Sequence, residues 1–495
     1  MDGLFLHLNE ADAFKGCILA YGHFSTIHPG HIRYLRHARN QGECLVVALI
    51  GDHGVSSFPF NQQERAEALN MLGIADAVLM LQSAELYEVI SAIKPSVLVL
   101  GNEYRDKPDI DSIQHHVRQN CGSVQFHAGD IQYATTDLLS TSESDLRQQR
   151  LSLFQSACRR QGVSRSQLLD AINSWGDTRL IVLGDTIVDQ YAACEAIGMS
   201  AEAPVVVVRE LDHKNFIGGA AVVAAHITAL GAQCDFISVV GDDSIADLVR
   251  HELTVQGIGD GLSKDQSRPT TFKKRYVVEN QKLFRVSRLE EHNLDSDVED
   301  EVIAQLRRLS PNASGIVVSD FVYGVVTPRI LSVVHELAER YNLLLFGDLQ
   351  CSSQIGSITR FQNFSLLCPN EREARLALQD KVSGLEQISQ SLLQNTGCER
   401  LVMKLGSDGF IAYDKNDENV ILSQAFPALS VNPLDVAGAG DSLLALFATG
   451  LASGQAMMPT AALACCMASL AVETMGNTPI TALALRNSLQ DVLFP

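Results

Sequence analysis

Two stretches of the chain place residues able to handle phosphate where an apolar run meets a helix. In AYGHFSTIHPGHIRYLRHAR a strand ends at Tyr21, a loop carries His28, Pro29, Gly30 and His31, and a helix follows at once. Unpaired amides and the helix dipole attract anions at such a helix mouth. Two imidazoles there can stabilise charge developing on a phosphate, and Gly30 lets the backbone come close. The HxxH spacing alone equally fits two surface histidines; it is the strand–loop–helix placement that favours chemistry. In NPLDVAGAGDSLLALFATG, Gly438, Ala439 and Gly440 form a small-residue loop that opens an apolar helix. Their amides can line an anion hole for a transferring phosphoryl group. Asp441, at the helix start, can take the proton of an attacking hydroxyl. The plainer alternative is an Asp N-cap on an ordinary packing helix.

Both loops need rigid elements behind them. Apolar runs at Cys17–Tyr21, Cys44–Ile50, Ala77–Leu81, Val97–Leu100 and Val124–His127 alternate with helical patterns near His31–Gln41, Gln62–Leu72, Ala84–Ile93 and Ile110–Gln119. Wholly apolar strands separated by helices predict a parallel sheet covered on both faces. A second series starts at Leu180, with strands expected at Leu180–Leu183, Phe236–Val240, Gly315–Val318, Leu343–Phe346, Leu366–Cys368 and Leu401–Lys404. Segments Cys194–Arg209 and Thr270–Arg288 are β-rich and predict a small protruding sheet able to close over a ligand. Helices are expected around Asp441–Ala452 and Pro459–Thr474. The expected organisation is one α/β domain over 1–140, a linker and leading helix over 141–177, and a second α/β domain over 178–495.

The 495 residues suffice for several domains, and an apolar fraction of 46% suits large buried cores. A net charge of -20 opposes nucleic acid as a partner. The 11 cysteines include no CxxC pair, so the spacing offers no zinc or redox motif and suggests a reducing, cytoplasmic setting. Adjacent Cys465 and Cys466 lie in an Ala-rich run and read as helix core. The opening MDGLFLHLNEADAFKG lacks the basic and long apolar regions of a signal peptide, and no run is long enough to span a bilayer.

At this level of detail a family resemblance emerges. GHFSTIHPGH resembles the signature of the cytidylyltransferase-like nucleotidyltransferases, over roughly Cys17–Leu139. The resemblance implies a Rossmann-like domain. Gly22, Phe24, Gly30, Arg39 (in ARxxG), Arg65 (in QQERAEAL), Thr135 and Thr136 would hold a nucleoside triphosphate, with His28 and His31 catalytic. VAGAGDS resembles the C-terminal signature of the ribokinase-like (PfkB) sugar kinases, whose other marks follow in order over Leu180–Ile480. GDTIVDQY supplies Asp185 and Asp189 to the sugar, as do Gly218 and Gly219 of FIGGAAVVAAHI. Asn370 and Glu373 of PNEREA would order Mg2+ waters, and Lys404, Gly406 and Gly409 of KLGSDG would lie against the nucleotide with Gly438, Ala439 and Gly440. Arg288, with Arg285, would reach a sugar phosphate from the lid, although a solvated charged strand fits as well. His115–His116 reads as surface and Trp175 as a packing anchor.

The pairing resembles the bifunctional heptose kinase/heptose adenylyltransferase family, with domain order reversed. It implies a nucleotide-activated sugar made from a sugar phosphate, with ATP (or CTP at the first site), Mg2+, and a homodimer formed through the protruding sheets. Several positions depart from the family pattern: Ser25 and Leu100 in the first domain, and Val222, Tyr323, Gln350 and Ala437 in the second. These bear on which sugar is read, because a changed polar group alters which hydroxyls find partners. Two rival readings are a single active domain with the other kept for oligomerisation or sensing, and a nucleotide sensor that turns nothing over.

Overall fold

The computed structural model describes residues 4–493 except 25, 26, 28, 53–60, 83–85, 102, 103, 106, 127–142, 203, 204, 280, 351–355, 416–419 and 475. The chain divides into two compact units. The first comprises Met1–Leu146 with Ala374–Asn395 and Leu405–Ala425; the second comprises Arg147–Glu373, Thr396–Lys404 and Phe426–Pro495.

In the first unit, β1 (Leu4–Leu6), β2 (Ile18–Gly22), β3 (Leu45–Leu49), β4 (Ala77–Met80), β5 (Val97–Leu100) and β6 (Ser123–Phe126) form a parallel sheet in the order β1-β4-β3-β2-β5-β6. Helices α1 (Pro29–Arg39), α2 (Gln62–Met71), α3 (Leu86–Ile93) and α4 (Ile110–Gln119) connect the strands. The strands are apolar on both faces and feed two cores. One centres on Leu19, Val46, Leu79 and Leu98, the other on Ala20, Val47, Leu35 and Leu69. This is a Rossmann-like layering. The chain builds outward from β2 to β3 and β4, then returns to add β5 and β6 on the other side. That places the switch point, where α/β sheets bind ligands, at the C-terminal ends of β2 and β5. The sequence misses β1, an edge strand only three residues long.

The segment expected as a linker and leading helix holds two helices, α5 (Glu143–Arg160) and α6 (Arg165–Asn173). Phe154 on α5 is fully buried and its ring lies 6.3 Å from that of Phe426; Trp175 is also fully buried.

In the second unit the main strands are β7 (Arg179–Gly184), β10 (Gln233–Val240), β11 (Gly259–Lys264), β14 (Gly315–Asp320), β15 (Leu344–Leu349), β16 (Leu366–Leu367) and β17 (Arg400–Lys404). They run in the order β11-β10-β7-β14-β15-β16-β17, all parallel. Its helices include α7 (Ala220–Ala229), α8 (Ser244–Val255), α9 (Ser296–Leu309), α10 (Pro328–Tyr341), α13 (Ala439–Ala452), α14 (Met457–Val472) and α15 (Ala482–Leu493). Cys465 and Cys466 are buried in α14. α11 (Glu371–Leu378) begins here, whereas α12 (Leu385–Thr396), β18 (Phe410–Lys415) and nearly all of β19 (Ile421–Phe426) fall in the segments assigned to the first unit.

A separate four-stranded sheet, β13-β12-β8-β9, is built from β8 (Thr186–Met199), β9 (Val206–Gly219), β12 (Phe272–Val278) and β13 (Gln281–Arg288). The β12–β8 pair is parallel and its other pairs are antiparallel, so the expected small β lid is a mixed sheet.

Cys17 and Cys44, 27 residues apart in sequence, lie 5.0 Å apart at Cα and form a disulfide. They precede adjacent parallel strands, a proximity that linear spacing does not reveal. Among the described residues no helix is long and apolar enough to cross a membrane.

Candidate active sites

At the first site β2 delivers Gly22, His23 and Phe24 to the switch point, and α1 starts at Pro29. Tyr34 fixes α1 to the sheet. Its hydroxyl donates to the Val99 carbonyl at 2.6 Å and accepts from the Tyr21 amide at 3.3 Å, so one side chain bridges β2 and β5. Phe24 is buried at a positive φ of 47°, and its ring lies 5.0 Å from His31 and 6.1 Å from Tyr34. A Cβ at Gly22 would come 3.1 Å from the Phe24 ring, so the small residue lets the ring fold back under the loop. Gly30 is buried in the first turn of α1, beside His31. His28, Thr135, Thr136 and Ser25 lie outside the described residues.

The two arginines expected to touch phosphate are engaged elsewhere. Arg39 sits in the last turn of α1, at the end away from the loop. It bonds the Glu43 carbonyl at 2.6 Å and the Asp76 carboxylate at 2.5 Å. Arg39 lies about 12 Å along the helix axis from His31, and its guanidinium is held at that far end. Arg65 is almost fully buried in α2. It donates to the His23 carbonyl, to the Ile50 carbonyl at 3.0 Å and to Asp52 Oδ1 at 2.6 Å. It therefore staples the ends of β2 and β3. Burial, reinforced by the Arg65 charge, lowers the His23 pKa and keeps that imidazole neutral. His115 and His116 are on the exposed side of α4, bonded to Gln119 and Ser91.

At the second site the chain turns through Gly438 into α13. Gly438 has a φ of 79°, a left-handed conformation that disfavours a side chain, and an added Cβ would lie 2.5 Å from Asn477 Oδ1. Ala439 and Gly440 open the helix and Asp441 follows in its first turn, only 6% exposed. Gln350, just past the end of β15, donates from Nε2 to Asp441 Oδ1 at 3.0 Å. Burial, then the neighbouring Asp348 charge, pushes the Asp441 pKa up to about 7, against an opposing pull from Lys404. Lys404 at the end of β17 donates to both oxygens of the fully buried Asp348, at 2.7 and 2.9 Å. Burial alone would lower the lysine's pKa, but the Asp348 carboxylate outweighs it and holds the ammonium charged. Lys404 is thus the cationic half of a buried ion pair. Gly406 and Gly409 shape the turn after β17, with φ of 60° and 91°.

Asp185, expected at the sugar, is held by backbone amides. Fully buried after β7, its carboxylate accepts the Phe321 amide at 2.7 Å and the Tyr323 and Val325 amides at 3.4 Å. It thereby ties the end of β7 to the loop after β14. Asp189 on β8 lies against Gly218, where an added Cβ would come 2.6 Å from its Oδ2. Its carboxylate is ion-paired with Arg275 on β12. Gly219 sits at the lid hinge with a φ of 62°, and a Cβ there would strike the Asp185 carbonyl at 2.4 Å. Arg288 is exposed on β13, 3.8 Å from Asp243, and Arg285 shares that exposed strand. Asn370 and Glu373 form a reciprocal cap on α11: Asn370 N donates to Glu373 Oε2, and Glu373 N to Asn370 Oδ1, each at 2.8 Å. Among the described residues no cluster of three or more His, Cys, Asp or Glu is arranged to hold a metal directly.

Sequence reasoning missed Asp348 and the lid cluster. There Tyr191 donates to Asp435 at 2.9 Å and Lys282 to the same carboxylate at 3.0 Å, beside Arg275. The available signal for Asp348 was an acidic residue at the C-terminal end of an apolar strand, in LLLFGDLQ.

Residues 177–482 match the pfkB family carbohydrate kinases, and residues 19–164 match the cytidylyltransferase-like family. The Bifunctional protein HldE of Desulfatibacillum aliphaticivorans is 28% identical over 325 residues, 65% of each chain. That of Trichlorobacter lovleyi is 30% identical over 308 residues, 61% of each chain. The matches therefore span less than two thirds of these relatives' length. Among solved structures, Escherichia coli phosphofructokinase-2 in complex with substrates and products superposes with a TM-score of 0.53 at 14% identity, over 64% of this chain and 99% of that one. Arabidopsis thaliana ribokinase complexed with ribose and ATP gives 0.50 at 20%, over 63% and 99%. At such identities the likeness is one of fold, and it is ribokinase-like. The chain belongs to the pfkB family of carbohydrate kinases, and carries a cytidylyltransferase-like domain ahead of its kinase domain.

Proposed function

We propose that the chain is a bifunctional transferase. In this reading the kinase domain over 178–495 phosphorylates a sugar from ATP, and the domain over 1–140, joined through 141–177, couples a sugar phosphate to a nucleotide. The product class is an ADP-heptose-type activated sugar, as in lipopolysaccharide precursor synthesis. The setting is cytoplasmic and the assembly a homodimer through the lid sheets.

The observation that carries the kinase reading is Asp441: a buried carboxylate with a pKa of about 7, one turn from a glycine loop at a helix start. A base whose pKa lies near the working pH removes a proton most effectively. Asp441 takes the proton of the acceptor hydroxyl, and the hydroxyl oxygen attacks the γ-phosphorus. The amides of Gly438, Ala439 and Gly440 hold the phosphoryl group, and ADP leaves. Mg2+, when bound with the triphosphate, would offset its charge. The mutual cap fixes the Asn370 and Glu373 side chains, which would suit them to hold the ion's waters.

At the first site a sugar phosphate oxygen attacks the α-phosphorus of the triphosphate and pyrophosphate leaves. No protein nucleophile is required, and His28 and His31 stabilise the growing charge at the α1 mouth.

The test supplies each nucleoside triphosphate with Mg2+ and a panel of sugar 1-phosphates and 7-phosphates, mannoheptoses included. Pyrophosphate and ADP are read separately. The expected result is pyrophosphate release that His31→Ala removes and ADP release that Asp441→Asn removes. Pyrophosphate from CTP alone would replace ADP-sugar by CDP-sugar, and silence in one channel would leave a single active domain.

A further inference from the structure

The floor of the kinase site holds a charge arrangement that the phosphoryl-transfer steps above leave unused. Lys404 and Asp348 form a bidentate pair at 2.7 and 2.9 Å, with Asp348 at 0% and Lys404 at 12% side-chain exposure. The lysine is therefore the partner on the open side of the pair. Two of its N–H groups are on Asp348, and its third meets no protein acceptor among the described residues. Its Nζ lies directly behind the glycine loop: a Cβ built at Gly440 would sit 3.3 Å from it. Gln350 stands on the other side. It donates to only one oxygen of Asp441, and no other side-chain donor to that carboxylate occurs among the described residues. Around Asp441 the charged groups are Asp348 from β15, Lys404 from β17 and Asp189 from β8.

We propose that Gln350 and Lys404 are positioning residues for phosphoryl transfer: Gln350 fixes the rotation of the Asp441 carboxylate so that Oδ2 meets the acceptor hydroxyl, and Lys404, anchored on Asp348, adds positive potential behind the phosphoryl-binding amides. The inference rests on the kinase reading of Asp441. The Gln350 amide orients the carboxylate and, by donating to it, lowers its pKa only against the larger upward push of burial, whereas a cation at the same distance would stabilise the ionised form further and depress its basicity more. The ammonium belongs behind the amides, where charge accumulates as the phosphoryl group transfers, and its fixed partner prevents it from collapsing onto Asp441.

The experiment uses the full chain and the sugar that supports ADP release, with kcat, KM and pH profiles measured for three variants. Gln350→Leu is expected to lower kcat about tenfold with KM for ATP within about twofold. Gln350→Lys is expected to move the acid limb of kcat/KM down by about one pH unit, a displacement that mere loss of packing would not produce. Lys404→Met alone would strand Asp348, so it is paired with Asp348→Asn. That double variant is expected to melt near the wild type yet lose about a hundredfold in kcat. Wild-type kinetics in Gln350→Leu, or in a folded double variant, would overturn the proposal while leaving the kinase reading intact. No ADP release by the wild type would overturn both.

Discussion

Asp441 shows how one residue can trade stability for function. Its carboxyl, held at about 7 by burial and by Asp348, binds its proton more tightly in the folded chain than in the unfolded one, where an ordinary Asp titrates near 4. The native state therefore carries the extra proton between those values, and stability falls as pH rises from about 4 to about 7. Asp441→Asn keeps an acceptor for Gln350 and removes the buried charge. Melting curves at pH 8 should show the variant more stable than the parent by about 1–3 kcal/mol, with ADP release abolished. Kinase activity of the parent should rise through an acid limb near pH 7, where the base ionises. A destabilised Asn variant would mean that the charge is compensated in the fold.

Among the elements, the glycine-ended strand β7 and the loop after β14 depend on Asp185. The carboxylate accepts three backbone amides, which no other residue type of that size could do as well. Gly184 permits the close approach, since a Cβ there would stand 1.9 Å from the Ser319 carbonyl. Asp185→Ala strands buried donors and should cost about 2–4 kcal/mol in chemical denaturation. The loop carries Phe321 and Tyr323 beside Lys273 of the lid, so KM for the sugar should rise as well. An unchanged denaturation midpoint would refute the clamp. Arg65 is the analogous element-scale device in the first unit, stapling the ends of β2 and β3 by their carbonyls.

For the whole molecule the formal charge of -20 bears on partners. On the proposed reading both sites hold small phosphates through local amides and a few cations, while an acidic surface repels a polyphosphate backbone. Gel-shift titration at about 50 mM salt, where electrostatic binding is strongest, should show no retained single- or double-stranded nucleic acid. A shift at that salt would mean that basic residues gather on one face despite the overall balance.

The amino-acid order by itself determined the class of both sheets, the presence of a small β lid and the places where the two glycine-bearing loops meet their helices. Apolar runs of strand length, helical periodicity and small residues before a helix are local signals, set by propensity and by backbone sterics. Strand ends such as Tyr21, Leu100 and Lys404 were legible within a residue or so. What each charged side chain does was decided by the tertiary structure alone. ARxxG, ER and GDTIVD each display an ionisable group at an expected position, yet Arg39 and Arg65 are engaged with their own scaffold and Asp185 with backbone amides. Likewise nothing near Lys404 in sequence announces Asp348, 56 positions away, or ties Gln350 to Asp441, 91 positions away. A long-range pairing of charges depends on which strands the parallel sheet sets side by side, and on how little water remains between them to screen the charge. Neither is written in the local order of residues.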